Sequence, residues 1–215
     1  MVKISVAVMA HPSRRASAMA LASELGQYPF SDQTIIWDKH NEEWHTGERA
    51  MRWGANRADW HIVIQDDAVL TPNFYNNIVN IVTAVPMKTV VSLYVGKVRP
   101  LPERVLDAMN KAPDGSWLQH YMLMWGVGIL LPSDHIEPML DYIDEPKYKE
   151  TAYDIRIGMF YHSNRLPIYY AVPSLVDHDD SIGSLIGNGY DKSPRVAHRL
   201  AQGLIDWTST VVTYI

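Results

Sequence analysis

The sequence predicts an α/β fold: a mainly parallel central sheet in a Rossmann-like arrangement, with helices on both faces and an irregular C-terminal part. Three observations carry this. Short β-branched apolar runs recur through the first hundred residues. Segments with helical start signals separate them, and strands alternating with helices give βαβ units and parallel pairing. Polar residues stand at the end of each of the first three runs: His11, Asp38 and the pair Asp66–Asp67. Open parallel sheets bind ligands at the carboxyl ends of their strands.

The elements follow in order. Lys3 to Ala10, "KISVAVMA", reads as a buried strand with β-branched residues at alternate positions. "HPSRRASAMALASEL" turns and becomes a helix, with Ser13 as the expected cap. "QTIIW" is the second strand and ends at Asp38. "TGERAMRWGANRAD" is helical, and "HIVIQ" is the third strand. Pro72 is expected to open a helix running to about Val82. "KTVVSLYV" is the fourth strand. "MLMWGVGILLP" reads as a strand bent at Gly126 and Gly128. Two helices follow, "SDHIEPMLDYI" capped by Ser133 and "TAYDIRIGMFYHSN" capped by Thr151. "PIYYAVPSL" is the last strand, and "VDHDDSIGSLIGNGYD" is expected to be an irregular, mobile loop.

The bulk properties narrow the function classes. At 215 residues the chain is expected to be one domain, residues 1–215. A net charge of −5 weighs against a phosphate-driven nucleic-acid binder. With no cysteine there is no disulfide, thiolate nucleophile or zinc–sulfur site. No signal peptide or membrane-length apolar run is recognisable, so a soluble, cytoplasmic protein is expected.

Asp66–Asp67 is the sharpest feature. Adjacent carboxylates at the end of a buried strand repel unless a cation sits with them. A divalent metal held by oxygen ligands would serve. His178, in "VDHDD", adds an imidazole, which suits manganese better than magnesium, although magnesium is possible. Asp177, Asp179 and Asp180 would then only solvate the loop. Arg49, Arg52 and Asn56 are spaced to share a helix face, a cationic surface that matches a diphosphate; the competing reading is a solvated face on which Glu48 pairs with Arg52. Gly126 and Gly128 remove side chains where backbone would pass a ligand, and Trp125 beside them would stack on a sugar or base, or else join the core. Asp154 lies early in a helix within the otherwise apolar "YDIRIGMF", which places its carboxylate at a cleft or makes it a favourable helix N-terminal charge.

Taken in order, "VIQDDAVL", "MWGVGILL", "YDIRIGMF" and "PSLVDHDDSIGS" resemble the nucleotide-sugar glycosyltransferases of the GT-A fold. They are most similar to the lipopolysaccharide and collagen-type galactosyltransferase branch and to small bacteriophage glycosyltransferases. The resemblance spans roughly residues 3 to 187 and implies a nucleotide-binding half (about 1–100), an acceptor and catalytic half (about 101–190) and a tail (about 191–215). The Asp-x-Asp motif of the family stands here as Gln65-Asp66-Asp67, with Gln65 in place of its first acidic residue. The resemblance implies metal on Asp67 with His178, and a nucleoside held around Ala10, His11, Pro12 and Asp38. It also implies transfer from a nucleoside-diphosphate sugar, with inversion, Asp154 serving as base; Asp144, Glu145 and Glu150 are its rivals. The acceptor is open: a saccharide, a protein side chain or a modified DNA base. If the chain is of phage origin, its compartment is the host cytoplasm. Gly183, Gly187 and Gly189 would let the last loop close over the donor. Two other readings stand: a nucleotidyltransferase, disfavoured by the missing glycine in "AHPSRRAS", and a non-catalytic sugar-nucleotide binder, which the Gln65 substitution keeps open.

Overall fold

Ile4–Ala10 (β1) is buried at every position. Alternate strand residues face opposite sides of a sheet, so both faces of this strand are covered. The computed structural model describes residues 2–98, 100–145, 148, 151–182, 194–209 and 211–215. The expected closing loop with Gly183, Gly187 and Gly189, and the rival acid Glu150, lie outside the described residues.

β1 lies between Asp32–Trp37 (β2) and Trp60–Gln65 (β3), parallel to both. The intervening helices are Arg15–Leu25 (α1) and Glu43–Gly54 (α2). After β3 the chain turns through Asp66–Asp67 into the short strand Ala68–Leu70 (β4). The helix expected from Pro72 starts at Phe74 and ends at Ala84 (α3), because Asn73 is left-handed, with φ 60°.

"KTVVSLYV" is buried from Thr89 onward, yet only Val91–Ser92 (β5) keeps regular pairing. The elements unread in the sequence include β4, the amphipathic helix Pro102–Lys111 (α4) and the strand Ser116–His120 (β6). The bent strand is only half present. Gly128–Pro132 (β7) is a strand antiparallel to β3, whereas residues 122 to 127 are irregular. The helices Ser133–Ile143 (α5) and Tyr153–Ser163 (α6) fall where expected, followed by Ile168–Val172 (β8). Val176–His178 (β9) is a strand where a loop was expected, and Val212–Tyr214 (β10) closes the chain. The sheet order is β10-β6-β8-β5-β7-β3-β1-β2, with β4 and β9 forming a separate ribbon. The sheet is mixed: the β1–β2, β1–β3, β5–β8 and β10–β6 pairs are parallel, and the pairings of β7 with β3 and β5 and of β6 with β8 are antiparallel.

None of the three expected hydroxyl caps forms. The His11 ring caps a 3-10 turn over Pro12–Arg14, accepting from the Ser13 N–H, and neither α5 nor α6 has a side-chain cap. Among the described residues no helix is long and apolar enough to cross a membrane.

One buried polar group pins the site-bearing strand. His61, in β3, is fully buried, with Nδ1 2.9 Å from Ser5 Oγ and Nε2 3.1 Å from the Ala50 carbonyl. Because the carbonyl only accepts, Nε2 carries the proton and Nδ1 accepts from the serine. Burial lowers the His61 pKa to about 4. As pH falls below 6.5 the unfolded chain takes up a proton that the folded chain refuses until about pH 4. Stability from this group is therefore complete above 6.5 and lost across that window, on the order of 3 kcal/mol. We expect the His61 ring, followed by NMR, to stay neutral at pH 5; a midpoint near its ordinary value would contradict this burial.

Candidate functional site

The ends of β1 and β3 open into a cavity of about 900 Å³. That is the size range of small-molecule and cofactor sites. Met9 and Ala10 of β1 with His11 after it, and Gln65 of β3 with Asp66 and Asp67 after it, line the cavity. Asp38, Trp125, Gly126, Asp154 and His178 also line it, so most residues singled out in the sequence converge there.

Asp66 and Asp67 are both buried, at 5% and 3% exposure. Their partner is Arg14, whose Nη1 lies 3.0 Å from Asp66 Oδ1 and 2.6 Å from Asp67 Oδ2. Asp66 Oδ2 also accepts the His11 backbone N–H at 2.7 Å. Asp66 therefore ties the first β–α turn to the end of β3. Burial raises its pKa against the pull of His11 and Arg14. For Asp67 burial pushes upward too, but His178 and Arg14 together hold the pKa below the ordinary value.

His178 does not sit in an exposed loop; it is 4% exposed. The correction has a simple cause. β9 pairs antiparallel with β4, setting His178 opposite Ala68, and the Asp179 N–H donates to the Asp67 carbonyl at 2.7 Å. This register brings the imidazole onto the carboxylate: Nε2 is 3.1 Å from Asp67 Oδ2, without hydrogen-bond alignment. Asp67 Oδ1 and His178 Nδ1 are buried with no hydrogen-bond partner among the described residues. Buried polar atoms left in this way are costly and call for an account.

A divalent cation fits that donor set. Hard cations that work on phosphates take one or two protein ligands and complete their shell from phosphate oxygens and water. Asp67 and His178 would hold it. Among the described residues no group of three or more His, Asp or Glu side chains is placed to do so.

The other aspartates of "VDHDD" have structural partners. Asp177 accepts from the His178 and Ala197 N–H groups, and Asp179 from the Ser181 N–H. Asp180 pairs with Arg195, a cavity-lining cation, at 3.5 Å. Asp38 accepts the His40 N–H at 2.9 Å and the Glu42 N–H at 3.4 Å, shaping the loop before α2. Although burial opposes it, these bonds lower its pKa.

The cationic helix face is elsewhere. Arg49 donates to the Trp37 carbonyl at 2.9 Å, and Arg52 pairs with Glu48 at 3.0 Å and Glu137 at 2.9 Å. Asn56 lies beyond the end of α2. These three residues, with Pro12, are off the cavity wall. The glycines accommodate a side chain of the protein itself. A Cβ on Gly126 would sit 2.8 Å from the Tyr153 ring, and one on Gly47 would sit 2.3 Å from its other side. Both glycines make room for Tyr153, the fully buried residue that precedes Asp154. Trp125 stands in the wall, edge-on to Tyr94 and Tyr170.

Two site residues escaped the sequence reading. Arg14 is one. The other is Glu43, the first residue of α2, which lines the cavity and accepts from Gln65 Nε2 at 3.2 Å. Burial, then the charges of Asp154 and Asp67, raise the Glu43 pKa to about 7. Asp154 is raised to about 6, mainly by burial, while its Oδ1 accepts the Ile155 N–H at 2.8 Å. Two perturbed carboxylates beside a metal-type pair make this cavity the candidate functional site.

No protein-family model and no curated protein matches the chain. Among solved structures it is similar to "crystal structure of a glycosyltransferase involved in the glycosylation of the major capsid of PBCV-1". The TM-score is 0.51, over 87% of this chain and 88% of that one, at 12% identity. The likeness is one of fold: the α/β architecture read from the sequence is shared with that structure.

Proposed function

We propose that this protein is a divalent-metal-dependent glycosyltransferase. It would move a sugar from a nucleoside-diphosphate sugar to an acceptor hydroxyl with inversion. The observation that carries the proposal is the buried Asp67–His178 pair at the strand ends, opening on a cavity that also holds Asp154. The resemblance in sequence and the likeness of fold point the same way.

Bound on Asp67 and His178, manganese or magnesium would neutralise charge on the departing diphosphate. Ala10, His11 and Asp38 line the cavity and would hold the nucleoside, and Trp125 and Gly126 in its wall would lie beside the sugar. Asp154 would take the acceptor proton. With a pKa near 6 its carboxylate is mostly ionised at neutral pH and can accept one. As that proton leaves, the acceptor oxygen forms its bond to the anomeric carbon. The bond from that carbon to the phosphate oxygen breaks on the opposite side, and the diphosphate leaves with the electron pair. Glu43, with its pKa raised to about 7, could donate or accept a hydrogen bond in the same cavity.

The test is calorimetric titration with a panel of nucleoside diphosphates, with and without manganese, followed by donor hydrolysis by water. We expect manganese-dependent binding of one nucleotide and slow release of its sugar. Binding without any turnover, across donors and acceptors, would instead favour a non-catalytic sugar-nucleotide binder.

A further inference from the structure

Arg14 puts positive charge on the same carboxylates that a metal would use. Its Nη1 bridges Asp66 Oδ1 and Asp67 Oδ2, and His178 Nε2 approaches the same Asp67 oxygen. Asp67 Oδ2 thus already has two neighbours, while Oδ1 has no hydrogen-bond partner among the described residues. A divalent ion held by Asp67 and His178 would lie beside a guanidinium on the same carboxylate. Like charges so close repel strongly in a partly buried site. Arg14 is anchored at the end of a three-residue turn, and its side chain lines the cavity. The guanidinium has an alternative partner once a diphosphate enters, since its fork matches phosphate oxygens.

We propose that Arg14 is a resident competitor of the metal and becomes a positioning residue for the donor. In the free protein it neutralises Asp66 and Asp67 and weakens metal binding. When the diphosphate enters, Arg14 moves from Asp67 to a phosphate oxygen, which releases the carboxylate to the ion. Metal and diphosphate then bind with positive coupling, and each raises the affinity for the other by the same factor. The protein would hold little metal until its donor arrives. This rests on the metal-dependent reading above, and its test separates the two.

The probes are manganese, followed by electron paramagnetic resonance of the free ion, and inorganic pyrophosphate, the part common to every nucleoside diphosphate. Wild-type protein is expected to bind manganese weakly alone and more tightly with pyrophosphate. Arg14→Gln should bind manganese alone about tenfold more tightly, and the gain from pyrophosphate should shrink by a similar factor, within the roughly 5- to 150-fold range of such couplings. Arg14→Lys keeps the charge and should stay near wild type for manganese alone. Equal manganese affinity in wild type and Arg14→Gln, with pyrophosphate strengthening both alike, overturns the competitor role and leaves the metal reading intact. Failure of either protein to bind manganese under any condition overturns the metal reading and this proposal together. Pyrophosphate binding that ignores manganese in wild type and disappears in Arg14→Gln also overturns the proposal, making Arg14 the sole cation of the site. Should Arg14→Gln fail to fold, guanidinium resonances of wild type provide the answer. The Arg14 signal should move when magnesium and pyrophosphate are added together, and an unmoved signal overturns the proposal.

Discussion

Asp67→Ala is expected to abolish manganese-dependent binding of a nucleoside diphosphate, whereas Asp66→Ala retains part of it. The two side chains are adjacent but differently employed. Asp66 is engaged by the His11 backbone N–H and by Arg14, so its role is to hold the first β–α turn against the end of β3. Asp67 meets His178 and keeps one oxygen without a hydrogen-bond partner among the described residues. Removal of an outer-shell partner of a metal costs roughly 10- to 100-fold in affinity, and loss of a direct ligand should exceed that. Titration of each variant with the diphosphate, with and without manganese, measures the difference. Unchanged manganese dependence in Asp67→Ala would sink the metal assignment. The fold adds a requirement. With His178 buried in β9, His178→Ala leaves a gap beside Asp67, so a thermal melt must accompany any loss of metal affinity.

Which parts of this site could be read from the chain follows from how local each signal is. β1 and β3 are continuous apolar runs ending in polar residues, and both run and ending lie within a dozen positions of sequence. Asp154 stood out because its neighbours are apolar. Arg14 did not, because its meaning depends on contacts 52 and 53 residues away. Glu43 resembles an ordinary acidic residue in the first turn of a helix, and its burial beside Asp67 and Asp154 exists only once α2 packs on the sheet. β9 is three residues long within an Asp-rich stretch, and only its pairing with β4 makes it a strand. Arg49 and Arg52 misled because periodicity gives a shared face and not its direction. Here one turns to the β2 backbone and the other to Glu137 of α5. α4 was readable: Pro102 opens it, and Val105, Ala108 and Met109 form its buried stripe.

Asp154→Asn is expected to lower turnover by about 100- to 10,000-fold, the usual worth of positioned proton transfer, with donor affinity kept. Two further readouts distinguish a base from a helix-end charge. The first is pH. With a pKa of about 6 for Asp154, wild-type turnover should rise through pH 6 to a plateau, and the Asn variant should lose that limb. Glu43→Gln should keep the limb where it is. If Glu43 were the base, the limb would fall near 7 and disappear in Glu43→Gln instead. The second is stability. A favourable helix N-terminal charge would make the Asn variant weaker by about 0.3 to 1 kcal/mol. Burial reverses that expectation. A carboxylate whose folded pKa is raised binds its proton more tightly in the folded state, so its ionisation destabilises the fold as pH rises from about 4 through 6. Asp154→Asn should therefore melt at or above the wild-type temperature at pH 8, and the difference should vanish below pH 4. A variant that is slow and no less stable identifies a carboxylate kept in an unfavourable place for its chemistry. One that melts lower and turns over normally would return Asp154 to a structural role and pass the base to Glu43.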